Sequence, residues 1–239
     1  MRIVCFLFLI SMGVCGQDST TVKHPKAKAI AKVFVAPVTL IGLGLYTKDA
    51  GHLMNRYAVR DWRNDHFSNF STKLDDQFQF VPILLVYGLD LVGVKAKNDL
   101  INRTLLFAKS EIVMTLIVRT LKNTTNVMRP NGSNDFSFPS GHTAQAFMAA
   151  SFMSKEFGAK SIWFSIGAYT MATSVGVFRV LENKHWITDV LAGAGFGILS
   201  TNIVYATHRY RWGKRPNLTV LPTYSNGPGV YMALKLGNR

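Results

Sequence analysis

Three short segments bring together the residue types that one reaction needs: Lys122 with Arg129-Pro130, then Pro139-Ser140-Gly141-His142, then Arg179, His185 and Asp189. The cations, the Ser140 hydroxyl and the backbone N–H of Gly141 can enclose a tetrahedral oxyanion. One histidine can attack its central atom while the other protonates the group that leaves. Lys122 and Arg129 are seven residues apart, about two helical turns, so one helix would turn both toward a single site. Pro130 would stop that helix. Pro139-Ser140-Gly141-His142 opens the next helix, whose free N–H groups suit an anion, and Gly141 leaves room for its close approach. His185 and Asp189, four apart on a helix predicted to start near Asn183, would stack on one face. The carboxylate then fixes one ring nitrogen and leaves the lone pair of the other free. Arg179 can neutralise charge on a phosphoryl group in flight.

Singly, each segment has an ordinary structural reading. Lysines and arginines at helix ends face water or headgroups, Ser-Gly-His arises by chance, and a histidine beside a tryptophan is commonly structural. All three, in this order on successive helix ends, point to an oxyanion site. A metal is the competing use. One carboxylate, already placed to orient a histidine, makes a poor ligand set, and the neighbouring cations would repel an ion, so no metal and no cofactor are expected.

The elements that must hold these residues read as helices. The chain has 239 residues, 48% of them hydrophobic, with a formal charge of +14. That is enough for one buried domain, and the charge predicts an anionic partner such as phosphate groups or an acidic membrane surface. The basic residues flank apolar runs and form no aromatic-interleaved stripe, which argues against nucleic acid. Residues 1–16 read as a signal peptide containing both cysteines, Cys5 and Cys15, so the mature chain would carry no disulfide. Residues 17–79 form a polar leader followed by helices and loops, 80–207 the chemical domain, and 208–239 a basic linker and tail.

Apolar runs at Val33–Tyr46 (interrupted by Pro37), Phe80–Val94, Thr104–Leu121, Thr143–Met153, Ser161–Val180 and Trp186–Ala206 show no strand alternation. They predict an all-α helical bundle. The glycine-rich run 192–197 lies inside a helix and reads as close helix packing rather than a nucleotide loop. Asp75-Asp76 reads as a helix cap. The tail from Leu218 to Leu236 alternates around Asn226-Gly227-Pro228-Gly229 and predicts a β-hairpin.

Phe136–Thr143 and His185–Gly193 resemble the type 2 phosphatidic acid phosphatase family (PAP2), its secreted bacterial members in particular. That family shares its active site with vanadium haloperoxidases and non-specific bacterial acid phosphatases. The similarity runs from about Lys122 to Tyr205. It implies a PAP2/haloperoxidase-like helical fold in which Lys122, Arg129, Arg179, Ser140 and the Gly141 amide bind phosphate. It makes His142 the general acid, His185 the nucleophile that forms a phosphohistidine, and Asp189 its orienting partner. One departure stands out: the residue before Arg179 is usually serine in the family and here is Phe178, which implies lost hydrogen bonding near the arginine.

The resemblance implies a phosphatase acting on lipid phosphates such as phosphatidic acid, phosphatidylglycerol phosphate, undecaprenyl pyrophosphate or lipid A. The alternatives are a soluble periplasmic acid phosphatase and a vanadate-dependent haloperoxidase, for which vanadate would be cofactor rather than phosphate mimic. Membrane-bound relatives carry six helices and a periplasmic site. Lys95, Lys97, Arg103, Lys155, Lys160, Arg209, Arg211, Lys214 and Arg215 fall on the side opposite the predicted site, which favours attachment to the inner membrane with the site facing the periplasm. With a cleaved signal, three spans before Lys122 would put the site in the cytoplasm. The conflict resolves if the proline-broken run at 33–46 does not span, or if no helix spans and the domain is a periplasmic globule.

Overall fold

The computed structural model describes residues 27–47, 55–208, 218–224 and 228–234. The expected signal peptide at 1–16, most of the polar leader, the basic linker at 209–217 and the tail's turn at 225–227 lie outside the described residues. Eight helices run in order: α1 (Ala27–Tyr46), α2 (Arg56–Phe67), α3 (Leu74–Phe78), α4 (Val81–Leu91), α5 (Leu100–Thr125), α6 (Gly141–Phe157), α7 (Ile162–Leu181) and α8 (Ile187–Thr207). The chain is an all-helical bundle followed by an antiparallel ribbon, β1 (Leu218–Tyr224) paired with β2 (Pro228–Leu234) from Leu218 opposite Leu234 to Tyr224 opposite Pro228.

α6 is the axis. It is buried on every side and packs against α4, α5, α7 and α8. Small residues make this possible: Ala144, Ala146, Ala149 and Ala150 have no exposed surface, which lets backbones approach closely. Phe152, Phe157, Leu106 and Val175 fill the space farther from the site. The glycine-rich run of α8 performs the packing its composition predicts. A Cβ at Gly193 would fall 2.6 Å from the Ser140 carbonyl oxygen on α6's cap, and one at Gly195 would fall 2.7 Å from the Pro37 carbonyl oxygen on α1.

Pro37 does not interrupt α1, which is continuous over 20 residues. A proline in a helix interior removes the N–H that would bond the carbonyl four residues earlier. Here that carbonyl belongs to Val33, and the Asn202 side chain of α8 donates to it at 2.8 Å. The lost helical hydrogen bond is replaced from the neighbouring helix, so α1 stays straight enough to lie antiparallel along α8. Asn202 sits beside Val33 at one end, and Gly44 beside Thr188 and Ala192 at the other.

The ends of α4, α6 and α8 far from the site are tied by polar contacts. Glu156 accepts from the Asn98 side chain at 2.6 Å and from Tyr205 at 2.5 Å, and its carbonyl accepts from the Lys97 backbone. Arg103, expected as part of a basic fringe, is instead buried and paired with Asp90 at 2.7 Å. It belongs to the packing between α4 and α5 rather than to a surface facing headgroups.

Candidate active site

Three helix ends converge: the last turn of α5, the first turn of α6, and the turn joining α7 to α8. α5 ends at Thr125, where Asn126 adopts a left-handed conformation (φ 46°). Lys122 therefore lies in the last turn of α5, but Arg129 lies in the following loop and not on the same helix. The loop is closed by its own backbone: Arg129 N–H donates to Asn134 O at 2.9 Å and Ser137 N–H to Val127 O at 2.9 Å. Trp186 Nε1 anchors it by donating to Met128 O at 2.8 Å. Lys122 Nζ reaches across to the Phe136 carbonyl at 2.6 Å.

Ser140 is the N-cap of α6, and its Oγ accepts from Thr143 Oγ1 at 2.9 Å. The hydroxyl proton of Ser140 is left to donate outward. Ser140 N–H donates to the Asp189 carbonyl at 3.0 Å, which ties the start of α6 to the start of α8.

His185 does not lie on a helix, because α8 begins at Ile187 with Trp186 as its cap. The expected stacking of two residues on one helical face is therefore replaced by a cap. Asp189 Oδ2 accepts from the Trp186 backbone N–H at 2.9 Å, and the same oxygen lies 3.4 Å from His185 Nδ1. It also accepts from Ser137 Oγ at 2.5 Å. Ser137 is fully buried and was not among the residues the sequence singled out. It lies inside the Phe136–Thr143 motif, which gave it no role of its own.

The second surprise is α3. Asp75 and Asp76 occupy its first turn, but Lys73 holds the cap position with no side-chain cap hydrogen bond, so neither aspartate is the cap the sequence predicts. Asp75 Oδ2 accepts from Arg179 Nη1 at 2.6 Å, and both side chains are almost completely buried. Asp76 Oδ1 lies 2.9 Å from His142 Nε2. Phe178, where the family pattern has serine, stacks on Phe70 at 6.0 Å and packs against Phe78 at 6.4 Å, gripping the segment that carries these carboxylates. Further contacts complete the cover: Arg63 Nε donates to Leu181 O at 2.6 Å, the Thr72 backbone to Glu182 Oε1 at 3.2 Å, and Tyr57 packs edge-on to Trp186 at 5.4 Å. The α2–α3 segment thus lies across the site end of the bundle.

Burial sets the protonation states. It pushes His185 down to about 4 against the opposing pull of Asp189, so the ring is neutral over the physiological range. Burial and the charges of Arg129 and Arg179 bring Lys122 down to about 8. Burial and Arg179 also lower His142, while Asp76 and Asp75 oppose them. Asp75 is pushed up by burial, but the Arg179 hydrogen bond and charge together outweigh this and leave it below the ordinary carboxylate value. Arg129 Nε and Arg179 Nε are buried donors with no protein partner among the described residues. Asp75, Asp76 and His142 bring ligand atoms within 4.8 Å of one another, but one oxygen of Asp75 is already held by Arg179.

Residues 103–213 match the PAP2 superfamily. The matched stretch is a little under half of the chain. A lipid A 1-phosphatase of Porphyromonas gingivalis is 34% identical over 148 residues, covering 62% of this chain and 33% of that protein. A lipid A 1-phosphatase of Helicobacter pylori is 26% identical over 136 residues, 52% of this chain and 66% of that protein. The chain thus spans about a third of the length of the first relative. Among solved structures, a transmembrane PAP2-type phosphatidylglycerolphosphate phosphatase from Bacillus subtilis superposes with a TM-score of 0.46 at 23% identity, covering 74% of this chain and 99% of that one. LpxE from Aquifex aeolicus gives 0.45 at 22% identity, covering 61% and 93%.

Proposed function

We propose that this protein is a metal-independent phosphatase that hydrolyses lipid phosphate monoesters through a phosphohistidine. The observation that carries the reading is the set of buried donors around one point. Burial, Arg129 and Arg179 lower Lys122, burial and Arg179 lower Arg129, and Asp189 opposes both shifts, while the Nε–H groups of Arg129 and Arg179 have no protein partner among the described residues. Such groups are costly to bury without an anion. The Ser140 hydroxyl and the N–H of Gly141 at the start of α6 complete the cradle.

His185 Nδ1 faces Asp189, which leaves the Nε2 lone pair for attack. The Nε2–P bond forms as the P–O bond to the lipid breaks, and His142 passes a proton to the departing oxygen. Arg129, Arg179 and Lys122 stabilise charge on the three equatorial oxygens. Water then attacks the phosphohistidine with His142 as base, releasing phosphate and restoring the neutral His185.

The two curated relatives are named for lipid A 1-phosphate, which makes lipid A the first substrate to assay. Attachment to the envelope membrane with the site on its periplasmic face fits the surface. α7 and α8 are long and apolar enough to cross a bilayer. Val35, Val38, Leu84, Leu116, Ile162 and Trp163 point outward from α1, α4, α5 and α7.

The test is phosphate release from lipid A and phosphatidic acid in detergent with excess chelator, wild type beside His185→Ala. Chelator-resistant release that the variant loses supports the reading. Release that a chelator abolishes, or that survives in the variant, overturns it.

A further inference from the structure

An apolar groove of about 630 Å³ opens between α7 and α8. Val177 and Val180 of α7, Leu191 and Ala194 of α8, Phe147 of α6 and Trp62 of α2 line it, and no lining residue is charged. α7 and α8 are antiparallel and meet at the turn that carries His185, so the groove runs from the site toward the far end of the bundle. Its span from Thr173 to Leu181 is about 12 Å at 1.5 Å per helical residue.

Two lining residues join the groove to the chemistry. Val180 follows Arg179 directly, Ile187 lies two residues after His185, and both also line the small cleft at His185. Polar character changes abruptly there. Arg56 and Arg60 sit 5.0 and 5.6 Å from the Trp186 ring on the site side, while the groove itself is apolar throughout. A phosphate at His185 would thus have its ester substituent at the mouth of an uncharged channel.

We infer that this groove is a substrate subsite that holds an alkyl chain of the phosphorylated lipid while its phosphate sits at His185. The inference rests on the lipid phosphatase reading above. The groove gives the enzyme a means of selecting its substrate by chain rather than by phosphate, because each methylene taken from water adds to binding until the channel is filled.

The test uses the full chain in amphipol with butyl, octyl and dodecyl phosphate below their micellar concentrations. Wild-type kcat/KM is expected to rise at least tenfold from butyl to dodecyl phosphate. Val177→Trp, a change at the exposed rim of the groove, is expected to remove that rise and keep butyl phosphate within twofold. A dodecylphosphonate carrying a mid-chain diazirine, bound to His185→Ala, should cross-link to residues 173–194. Equal loss of both substrates in Val177→Trp, or cross-links confined to outward residues such as Trp163, would overturn the inference. Hydrolysis of butyl phosphate with no gain for dodecyl phosphate overturns the groove and leaves the phosphatase standing. No hydrolysis of any alkyl phosphate overturns both.

Discussion

Asp76 Oδ1 lies 2.9 Å from Nε2 of His142, a residue 66 positions further along the chain. Burial and Arg179 strip proton affinity from His142, and this carboxylate restores part of it. In the proposed mechanism His142 is the general acid and must hold its proton until the leaving oxygen needs it, and Asp76 is the positioning residue placed to keep it there. Asp76→Asn is expected to move the alkaline limb of kcat/KM to lower pH and to cost at least tenfold in kcat at neutral pH, within the range general acid catalysis supplies. An unchanged pH profile in the variant would separate Asp76 from catalysis.

The pH dependence should carry the other two shifts. His185 must be neutral to attack, so the acid limb of kcat/KM falls near its value of about 4. The first alkaline limb belongs to His142, below its ordinary 6.5. Lys122 is charged below about 8 and neutral above it, so competitive inhibition by inorganic phosphate should weaken above that pH. In Lys122→Arg, which stays charged, this weakening should disappear.

Ser137 donates to the same Asp189 oxygen that accepts from the Trp186 backbone. Removing a hydrogen bond to a charged group costs about 1.5–3 kcal/mol, or roughly tenfold or more where the loss falls on the transition state. Ser137→Ala is expected to lower kcat by about that factor while KM holds, since no phosphate donor is touched. Steady-state kinetics would show it directly.

Asp75 and Arg179 form a pair sealed from solvent. Removing one partner of a buried ion pair costs about 3–5 kcal/mol. Asp75→Ala should therefore lower the thermal unfolding midpoint and loosen α3. Phe178→Ser, which installs the family's usual residue, should weaken the same cover by removing its packing on Phe70 and Phe78. A smaller fall in midpoint and a larger rise in KM than in kcat are expected.

Asn202→Leu tests the α1–α8 seam. It removes the donor to the part-buried Val33 carbonyl, at a cost of about 0.5–1.5 kcal/mol, the net worth of a typical intramolecular hydrogen bond. Thermal unfolding should register the loss while kcat stays near wild type, because the seam lies far from His185.

Much of this protein was legible in its residues. The apolar runs without strand alternation specified the helices, because runs of this length exceed ordinary strands and a helix satisfies its backbone within its own run. Lys122, Ser140, Gly141, His142, Arg179, His185 and Asp189 were legible as one cluster, and the fold brings them to three converging helix ends, where the proposed chemistry would need them. Spacing alone failed at boundaries. Arg129 and His185 lie off their expected helices because Asn126 and Trp186 set the helix ends, and capping is decided by local hydrogen bonds that a count of residues does not contain. Tertiary structure alone decided that Pro37 is tolerated, that Phe178 is an anchor, and that Asp75, Asp76 and Ser137 reach the site. Each of these depends on a partner many tens of residues away, as with Asn202 for Val33 or Asp75 for Arg179. A carboxylate on a short polar helix looks like a cap until folding brings an arginine and a histidine against it.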